Sequence, residues 1–320
     1  SESNSLQALS RRGNLEPIIP KTRKIRNNSM FQTLTQVALP IAIILIMTGV
    51  GLSLVPADFK RVFQQPRAFL VGAICQMFIL PLIAIAVIAL TGLEGELAIG
   101  LFILSLCPGG ATSNLYSYLA KADVGLSVSL TAVIGFITPF TIPLLAVWAI
   151  NFYGSEADQF QLPIISTWIK LMAVTVIPVL IGMGVRAKWS NFAKRSETYV
   201  SWFSMAVLAF VIISICINLG EKLIEFALAT GPAVIMLNLS TMILGYLAGR
   251  FLLHKEAQSR TITLEVGMQN GTLALLITTG ILQSGAMSVA PSIYSLFMFI
   301  SASAFTYTML KRDKTVAQTR

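Results

Sequence analysis

The segment TITLEVGMQNGTLALLITTGIL, residues 261–282, has the length of a membrane-spanning helix but carries polar groups in its middle. About 20 apolar residues in helical form cross the hydrocarbon of a bilayer. Glu265, Gln269 and Asn270 are costly to place at that depth, and the two glycines beside them weaken a helix. An ionisable residue inside a span predicts a functional site. The alternative is an interfacial glutamate that pairs with Arg260 near the start of the span.

The composition of the whole chain is that of an integral membrane protein. Its 320 residues are 55% hydrophobic and 12% charged, with a mean hydropathy of +0.76, whereas a soluble domain is about 25% charged. The net charge of +9 does not predict nucleic-acid binding, because the basic residues lie in short loops and tails. The wide spacing of Cys75, Cys107 and Cys216 predicts reduced packing thiols.

Apolar runs recur along the chain and predict an all-α fold with about nine transmembrane helices. Each run is long enough for one span and is bounded by polar or charged residues. The runs lie at about residues 33–55, 68–91, 97–120, 124–152, 163–185, 197–219, 230–253, 259–282 and 287–310.

Basic residues concentrate in every second connection, as in Lys60 and Arg61 after the first run and Lys311 and Arg312 after the last. The positive-inside rule then predicts a cytoplasmic C-terminus and, with nine spans, an N-terminus outside. Residues 1–29 oppose this rule with six basic residues. We expect a disordered basic segment over 1–29, a transmembrane domain over 30–312 and a cytoplasmic tail over 313–320, in a cell membrane, with the bacterial inner membrane as the expected one.

A second polar interruption, CPGGATSN at residues 107–114, breaks the third run as EVGMQNG breaks the eighth. Pro108, Gly109 and Gly110 disfavour a helix, while Ser113 and Asn114 can cap a restarted one. Each interrupted run is the next-to-last of its half of the chain. Matched broken helices in two oppositely oriented halves predict an inverted repeat and the binding site of a secondary transporter. The alternative is that proline and glycine serve helix packing only.

Further side-chain oxygens accompany these interruptions. Ser127 and Thr131 are four residues apart and share one helix face, and Gln76 lies midway along the second run. The alternative for each is a bond to its own helix or to a neighbour. Together with Glu265 they form an all-oxygen set with one carboxylate. This set favours a small hard cation over a transition metal.

The motifs CPGGATSN, DVGLSVSLTAV (123–133) and LEVGMQNG (264–271) together resemble those of the bile acid:sodium symporter family. GVGLSLVPADFKRV (49–62) is similar to the end of an early family helix and its loop, and the likeness extends from about residue 40 to 282. The resemblance implies two crossing broken helices and two domains that move against each other. The core domain would hold the spans at about 68–152 and 230–310, and the panel domain those at about 33–55 and 163–219.

The resemblance also implies two sodium ions near the crossing. Transferred by motif, the ligands of the first are Ser113, Asn114, Ser127, Thr131 and Glu265. Those of the second are Gln76, Glu265, Gln269 and the backbone carbonyls of Val266 and Met268. Glu265 would join both sites and hold cations inside the membrane.

The chain departs from familiar family members at GGATSN, at QNG and in the last span, YSLFMFISASAF. The first two departures fall where the restarted half-helices would meet a cargo. Free N–H groups and the helix dipole at such N-termini favour an anion. Thr112, Asn270 and Gly271 are therefore the predicted substrate-binding residues.

These observations predict a sodium-coupled symporter of a small organic anion that works by alternating access. The cargo is bile acid-like or a small carboxylate such as pantoate or pyruvate. The alternatives are a proton-coupled or uncoupled exporter and a non-transporting membrane sensor of the same fold. An enzyme is not expected, because the only histidine, His254, lies in a basic loop and no span holds a pair of carboxylates.

Overall fold

The computed structural model describes residues 39–54, 56–154 and 164–318. Helices make up nearly all of this part of the chain. In order they are α1 (Leu39–Ser53), α2 (Pro56–Gln64), α3 (Pro66–Ile74), α4 (Leu80–Thr91), α5 (Gly95–Leu106), α6 (Ala111–Leu119), α7 (Val124–Tyr153), α8 (Ile164–Lys188), α9 (Ser190–Leu219), α10 (Lys222–Leu252), α11 (Glu256–Gly267), α12 (Gly271–Leu275) and α13 (Val289–Gln318). A π-helical turn, Cys75–Ile79, joins α3 to α4, and a second, Leu276–Ile281, follows α12.

Five helical stretches of the described residues are long and apolar enough to cross a membrane, so the chain is a multi-pass membrane protein. They are Pro66–Thr91, Val124–Tyr153, Ser190–Ser214, Lys222–Leu252 and Val289–Thr315. Each of the other four predicted runs also contains helix. The runs at about 97–120 and 259–282 are interrupted, and those at about 33–55 and 163–185 begin at residues outside the described part. The count of nine spans and the inverted repeat stay predictions.

Both predicted interruptions are confirmed as breaks in helical structure. Residues 107–110 separate α5 from α6, and residues 268–270 separate α11 from α12. Cys107 and Met268, which follow the ends of α5 and α11, have extended backbones. The two breaks meet, because the Asn270 backbone N–H donates a hydrogen bond of 2.8 Å to the Pro108 carbonyl. Unpaired backbone groups at one break are thus partly satisfied by the other.

The π-helical turn between α3 and α4 is not evident in the apolar periodicity of the sequence. Pro81 has no N–H to donate to the Met77 carbonyl, so a regular α-helical ladder cannot continue through this point. The Leu80 N–H donates to the Cys75 carbonyl five residues earlier. Gln76 lies in this turn and is buried. Such turns are frequent at functional sites, and here the turn holds one of the predicted cation ligands.

Helix α8 links α1 to the rest of the bundle, because it packs against both α1 and α7. α1 packs mainly against α8 and α9, whereas α5 is buried along most of its length among the other helices. Gly51 permits a close crossing of α1 and α8, since a Cβ there would lie 2.1 Å from the Val179 carbonyl oxygen. The division into a moving core and panel stays a prediction.

Neither end of the chain is described to its terminus. The predicted disordered segment 1–29 lies outside the described residues. At the other end, α13 continues as helix through residues 313–318 of the predicted tail. Asp313 is held there by a side-chain contact to α11, so this part of the predicted tail belongs to the packed structure.

Candidate functional site

Glu265 lies near the end of α11 with its carboxylate surrounded by hydroxyl groups. Ser113 of α6 donates a hydrogen bond of 2.9 Å to Oε1, and Ser127 of α7 donates one of 2.5 Å to the same atom. Thr131 of α7 donates to both oxygens, at 3.2 and 3.0 Å. Glu265 is only 3% exposed. Three helices therefore converge on one buried carboxylate and satisfy it with neutral donors.

The amide of Asn114 completes this cluster of predicted first-site residues. Its Oδ1 lies 2.8 Å from Ser127 Oγ and 3.3 Å from Thr131 Oγ1, so it shares the single proton of each hydroxyl with Glu265. Gly109 provides the space for the carboxylate, because a Cβ at that position would lie 2.5 Å from Glu265 Oε2. The structure thus brings Ser113, Asn114, Ser127, Thr131 and Glu265 together. We call these five residues the carboxylate cluster.

Arg260 does not pair with Glu265, so the interfacial alternative is wrong. Arg260 Nε lies 3.2 Å from Glu256, and Arg260 Nη2 lies 2.6 Å from Asp313. Glu265 instead makes its hydrogen bonds with uncharged hydroxyls. When ionised, this carboxylate keeps its full charge inside an apolar bundle. It is therefore suited to hold a cation.

The amides of Gln76 and Gln269 join the two interrupted regions. Gln76 Nε2 donates to Gln269 Oε1 at 2.8 Å and to the Cys107 carbonyl at 2.9 Å. Gln269 Nε2 donates to the Val266 carbonyl at 2.7 Å. Met268 lies in the same interruption and is buried. The structure therefore links three predicted second-site residues by hydrogen bonds and places Met268 beside them.

One oxygen of this amide pair is left without a partner. Gln76 Oε1 is buried, and the structure gives it no hydrogen bond. A buried amide oxygen without a hydrogen bond lowers the stability of the folded protein. Buried amide oxygens in native proteins therefore usually accept a hydrogen bond or bind an ion. The orphaned oxygen therefore fits a role as a ligand for a small cation.

Two residues that the sequence did not single out support the end of α11. The Gly267 carbonyl accepts a hydrogen bond of 2.8 Å from Asn238 Nδ2 and one of 3.1 Å from the Tyr294 hydroxyl. Both side chains are fully buried. The last carbonyls of a helix have no partner within it, so these donors stabilise the break. The only signal in the sequence is an amide and a phenol at membrane depth.

The three predicted anion contacts lie at the starts of the restarted half-helices. Thr112 and Asn270 are half-buried, and Asn270 Oδ1 caps α12 by accepting from the Leu273 N–H at 3.0 Å. Gly271 is buried against α13, where a Cβ would lie 1.8 Å from Ser295 Oγ. This contact gives Gly271 a packing role. Its predicted role in letting cargo approach the backbone stays a prediction.

A second polar cluster, at the N-terminal end of α11, fixes α11 against α13. Arg260 donates to both carboxylate oxygens of Asp313, at 2.9 and 2.6 Å, and to the Ala120 carbonyl after α6 at 2.9 Å. Burial raises the pKa of Glu256, but hydrogen bonds from Arg260, Arg312 and Tyr246 together hold it below normal. We call Arg260, Asp313, Glu256 and Arg312 the arginine cluster.

Comparison with known proteins gives a consistent set of relatives. A family model described as the sodium bile acid symporter family matches residues 40–226. The "Uncharacterized sodium-dependent transporter YocS" of Bacillus subtilis is 28% identical over 273 residues, covering 84% of this chain and 82% of the relative. The ileal sodium/bile acid cotransporter of Mus musculus is 28% identical over 283 residues, covering 86% of this chain and 79% of the relative.

A chloroplastic relative extends the similarity to plants. The "Probable sodium/metabolite cotransporter BASS1, chloroplastic" of Arabidopsis thaliana is 28% identical over 244 residues, which cover 75% of this chain. Those residues make up 58% of the plant protein, so this chain spans little more than half of that relative's length.

Proposed function

Because the chain belongs to the sodium bile acid symporter family, a family of transporters and not of enzymes, we propose that it is a sodium-coupled symporter of a small organic anion. The observation that carries the proposal is the carboxylate cluster around Glu265. It is an all-oxygen set at the crossing of two broken helices, with one charge. Alternating access would expose this crossing to one side of the membrane at a time.

The first sodium ion would bind at the carboxylate cluster. Sodium resembles other hard cations in preferring oxygen ligands. The hydroxyls of Ser113, Ser127 and Thr131 donate to Glu265, and each can rotate to offer a lone pair to an ion. The ion would replace these donors as the partner of the carboxylate.

The second sodium ion would bind at the amide pair. Gln76 Oε1 supplies an unpartnered oxygen, and the interruption after Gly267 leaves carbonyls that no helix satisfies. Glu265 lies only four residues before Gln269 on this segment and would provide the charge for both ions. A sigmoidal dependence of uptake on sodium concentration is expected, because one transport cycle would require both ions to be bound.

The organic anion would bind beside the ions, at the starts of α6 and α12. Thr112 and Asn270 would supply hydrogen bonds to a carboxylate, and the free N–H groups of the two half-helices would add to them. Bound sodium would supply positive charge at the crossing, so that a buried arginine is not required. A bile acid-like anion and a small carboxylate both meet these conditions.

Two sodium ions with one monovalent anion would carry one net positive charge inward. The membrane potential would contribute about 2.3 kcal/mol for each such charge per 100 mV. Uptake of the anion would then be electrogenic. A proton-coupled or uncoupled exporter would instead act without a sodium gradient, and a sensor would bind the anion without accumulating it.

Reconstituted vesicles test the proposal directly. An inward sodium gradient should drive accumulation of a stabilising anion found in a thermal-shift screen, while a potassium gradient should not. Ser127→Ala should weaken the sodium dependence. Ser129→Ala is the matched control, because Ser129 lies on the same helix but donates to the Gly125 carbonyl at 2.8 Å. Accumulation driven by a proton gradient alone would contradict sodium coupling.

A further inference from the structure

An apolar groove lies on the outer surface of the bundle, between α10 and the helix formed by α3, the π turn and α4. Its volume is about 390 Å³. The lining is hydrocarbon except for the Cys75 thiol and Thr241, whose hydroxyl donates to the Asn238 carbonyl of its own helix at 2.9 Å. We call this feature the α3–α10 groove. It is separate from the carboxylate cluster.

Small residues on α10 make this surface concave. A Cβ at Gly245 would lie 2.7 Å from Val266 Cγ2, so α10 and α11 approach closely there. Ala248 lines the groove close by. Val266 and Cys75 form part of an apolar cluster that closes the floor. The π turn that carries Cys75 also carries Gln76, so the floor of the groove is the back of the amide pair.

The groove opens toward the surroundings of the bundle. Of its lining residues, Phe251 is 68% exposed and Leu244 is 44% exposed. In a membrane-spanning chain, exposed apolar side chains along such helices face acyl chains. The lining on α10 runs from Thr241 to Leu252, which corresponds to about 17 Å of helix. That length is close to the depth of one bilayer leaflet, roughly 15 Å.

Exposed basic residues lie at one end of the groove. Arg67 precedes Val71 by one helical turn and so lies on the same face of α3. Lys255 lies three residues after the end of α10. Glu256, the acidic residue next to it, is bound to the arginine cluster. The end of the groove therefore has an excess of positive charge at the level where a lipid headgroup would lie.

We propose that the α3–α10 groove binds one acyl chain of an anionic phospholipid, with its phosphate group against Arg67 and Lys255. The chain length, the apolar lining and the basic end together fit this ligand. A zwitterionic phospholipid offers the same chains without the net negative charge. The proposal concerns the outer surface of the bundle and does not depend on which anion is transported.

Native mass spectrometry of the purified full chain tests this proposal with dioleoyl phosphatidylglycerol as the probe. One phosphatidylglycerol should remain bound to the folded protein at concentrations where dioleoyl phosphatidylcholine does not. Ala248→Phe should fill the groove and weaken binding about tenfold, the effect of displacing roughly two methylene groups. Ile243→Phe is the matched control, because Ile243 lies exposed on α10 but does not line the groove. It should leave binding unchanged.

A second variant separates the headgroup from the chain. Arg67→Gln combined with Lys255→Gln should lower binding of phosphatidylglycerol to the level of phosphatidylcholine. The fraction of protein with bound lipid is measured on folded protein only. A lower yield of folded Ala248→Phe protein would therefore not be mistaken for weaker lipid binding. Equal binding of the two lipids, or equal binding by Ala248→Phe and Ile243→Phe, would overturn the proposal.

Discussion

Replacing Asp313 by asparagine is a sharp test of how α13 is fixed to α11. The carboxylate of Asp313 receives two hydrogen bonds from the guanidinium of Arg260. The Arg260 side chain is 4% exposed, whereas that of Asp313 is 35% exposed. Asp313→Asn keeps the shape and one acceptor oxygen but removes the charge. A buried guanidinium is then left with Glu256 as its charged partner in the arginine cluster.

The expected loss of stability lies between two limits. Breaking a buried ion pair costs about 3–5 kcal/mol, and removing an exposed one costs less than about 1 kcal/mol. Asp313 is partly exposed, the asparagine oxygen can still accept one hydrogen bond, and Glu256 still contacts Arg260. We therefore expect a free energy of unfolding lower by about 2 kcal/mol. This corresponds to a change of about thirtyfold in the ratio of folded to unfolded protein.

Equilibrium unfolding in mixed micelles measures this loss, with helix content as the signal. Arg312→Gln is the matched control, because Arg312 contacts Glu256 of the same cluster but is 44% exposed. Its replacement should lower the free energy of unfolding by less than about 1 kcal/mol. Equal effects of Asp313→Asn and Arg312→Gln would refute the reasoning from burial.

Three further predictions follow from the charges and contacts of the two sites. The folded-state pKa of Glu256 is lowered, so the contribution of Glu256 to stability is present above the ordinary carboxyl pKa and is lost as the pH falls through the folded-state value. Acid unfolding curves of Glu256→Gln should show a smaller loss of stability, and an unchanged curve would contradict this. Gln76→Ala should lower the cooperativity of sodium-dependent uptake toward that of one ion, as measured by initial rates over a sodium series, and an unaltered Hill coefficient would exclude Gln76 from the second site. Asn270→Ala should raise the cargo concentration needed for half-maximal uptake more than it raises the sodium concentration needed for half-maximal uptake. Equal shifts in the two values would argue against a direct contact of Asn270 with the anion.

The sequence was sufficient for the features that depend on local rules. Apolar run length marked where the helices lie. Glycines and polar residues marked both interruptions, together with Pro108 in the first. The spacing of Ser127 and Thr131 placed them on one face, and both contact Glu265. Glu265 could be singled out because it is a carboxylate well inside an apolar run, a position with few purely structural explanations.

Features that depend on long-range contacts could not be predicted in this way. The choice of Asp313 over Glu265 as a partner of Arg260 depends on where α13 packs, 53 residues away along the chain. Support of the Gly267 carbonyl by Asn238 and Tyr294 likewise requires three helices to be placed together. No local pattern encodes such distances.

Direct measurement of sodium binding to Glu265→Gln tests the central claim. Glutamine keeps the size and one acceptor oxygen of Glu265 but removes the only charge of the carboxylate cluster. Sodium should raise the unfolding temperature of the unaltered protein in a concentration-dependent manner and should have no such effect on Glu265→Gln. Cooperative unfolding of the variant in potassium, together with a normal response of Ser129→Ala to sodium, supplies the controls. Stabilisation of Glu265→Gln by sodium to the same extent as the unaltered protein would contradict the assignment of Glu265 as the cation ligand.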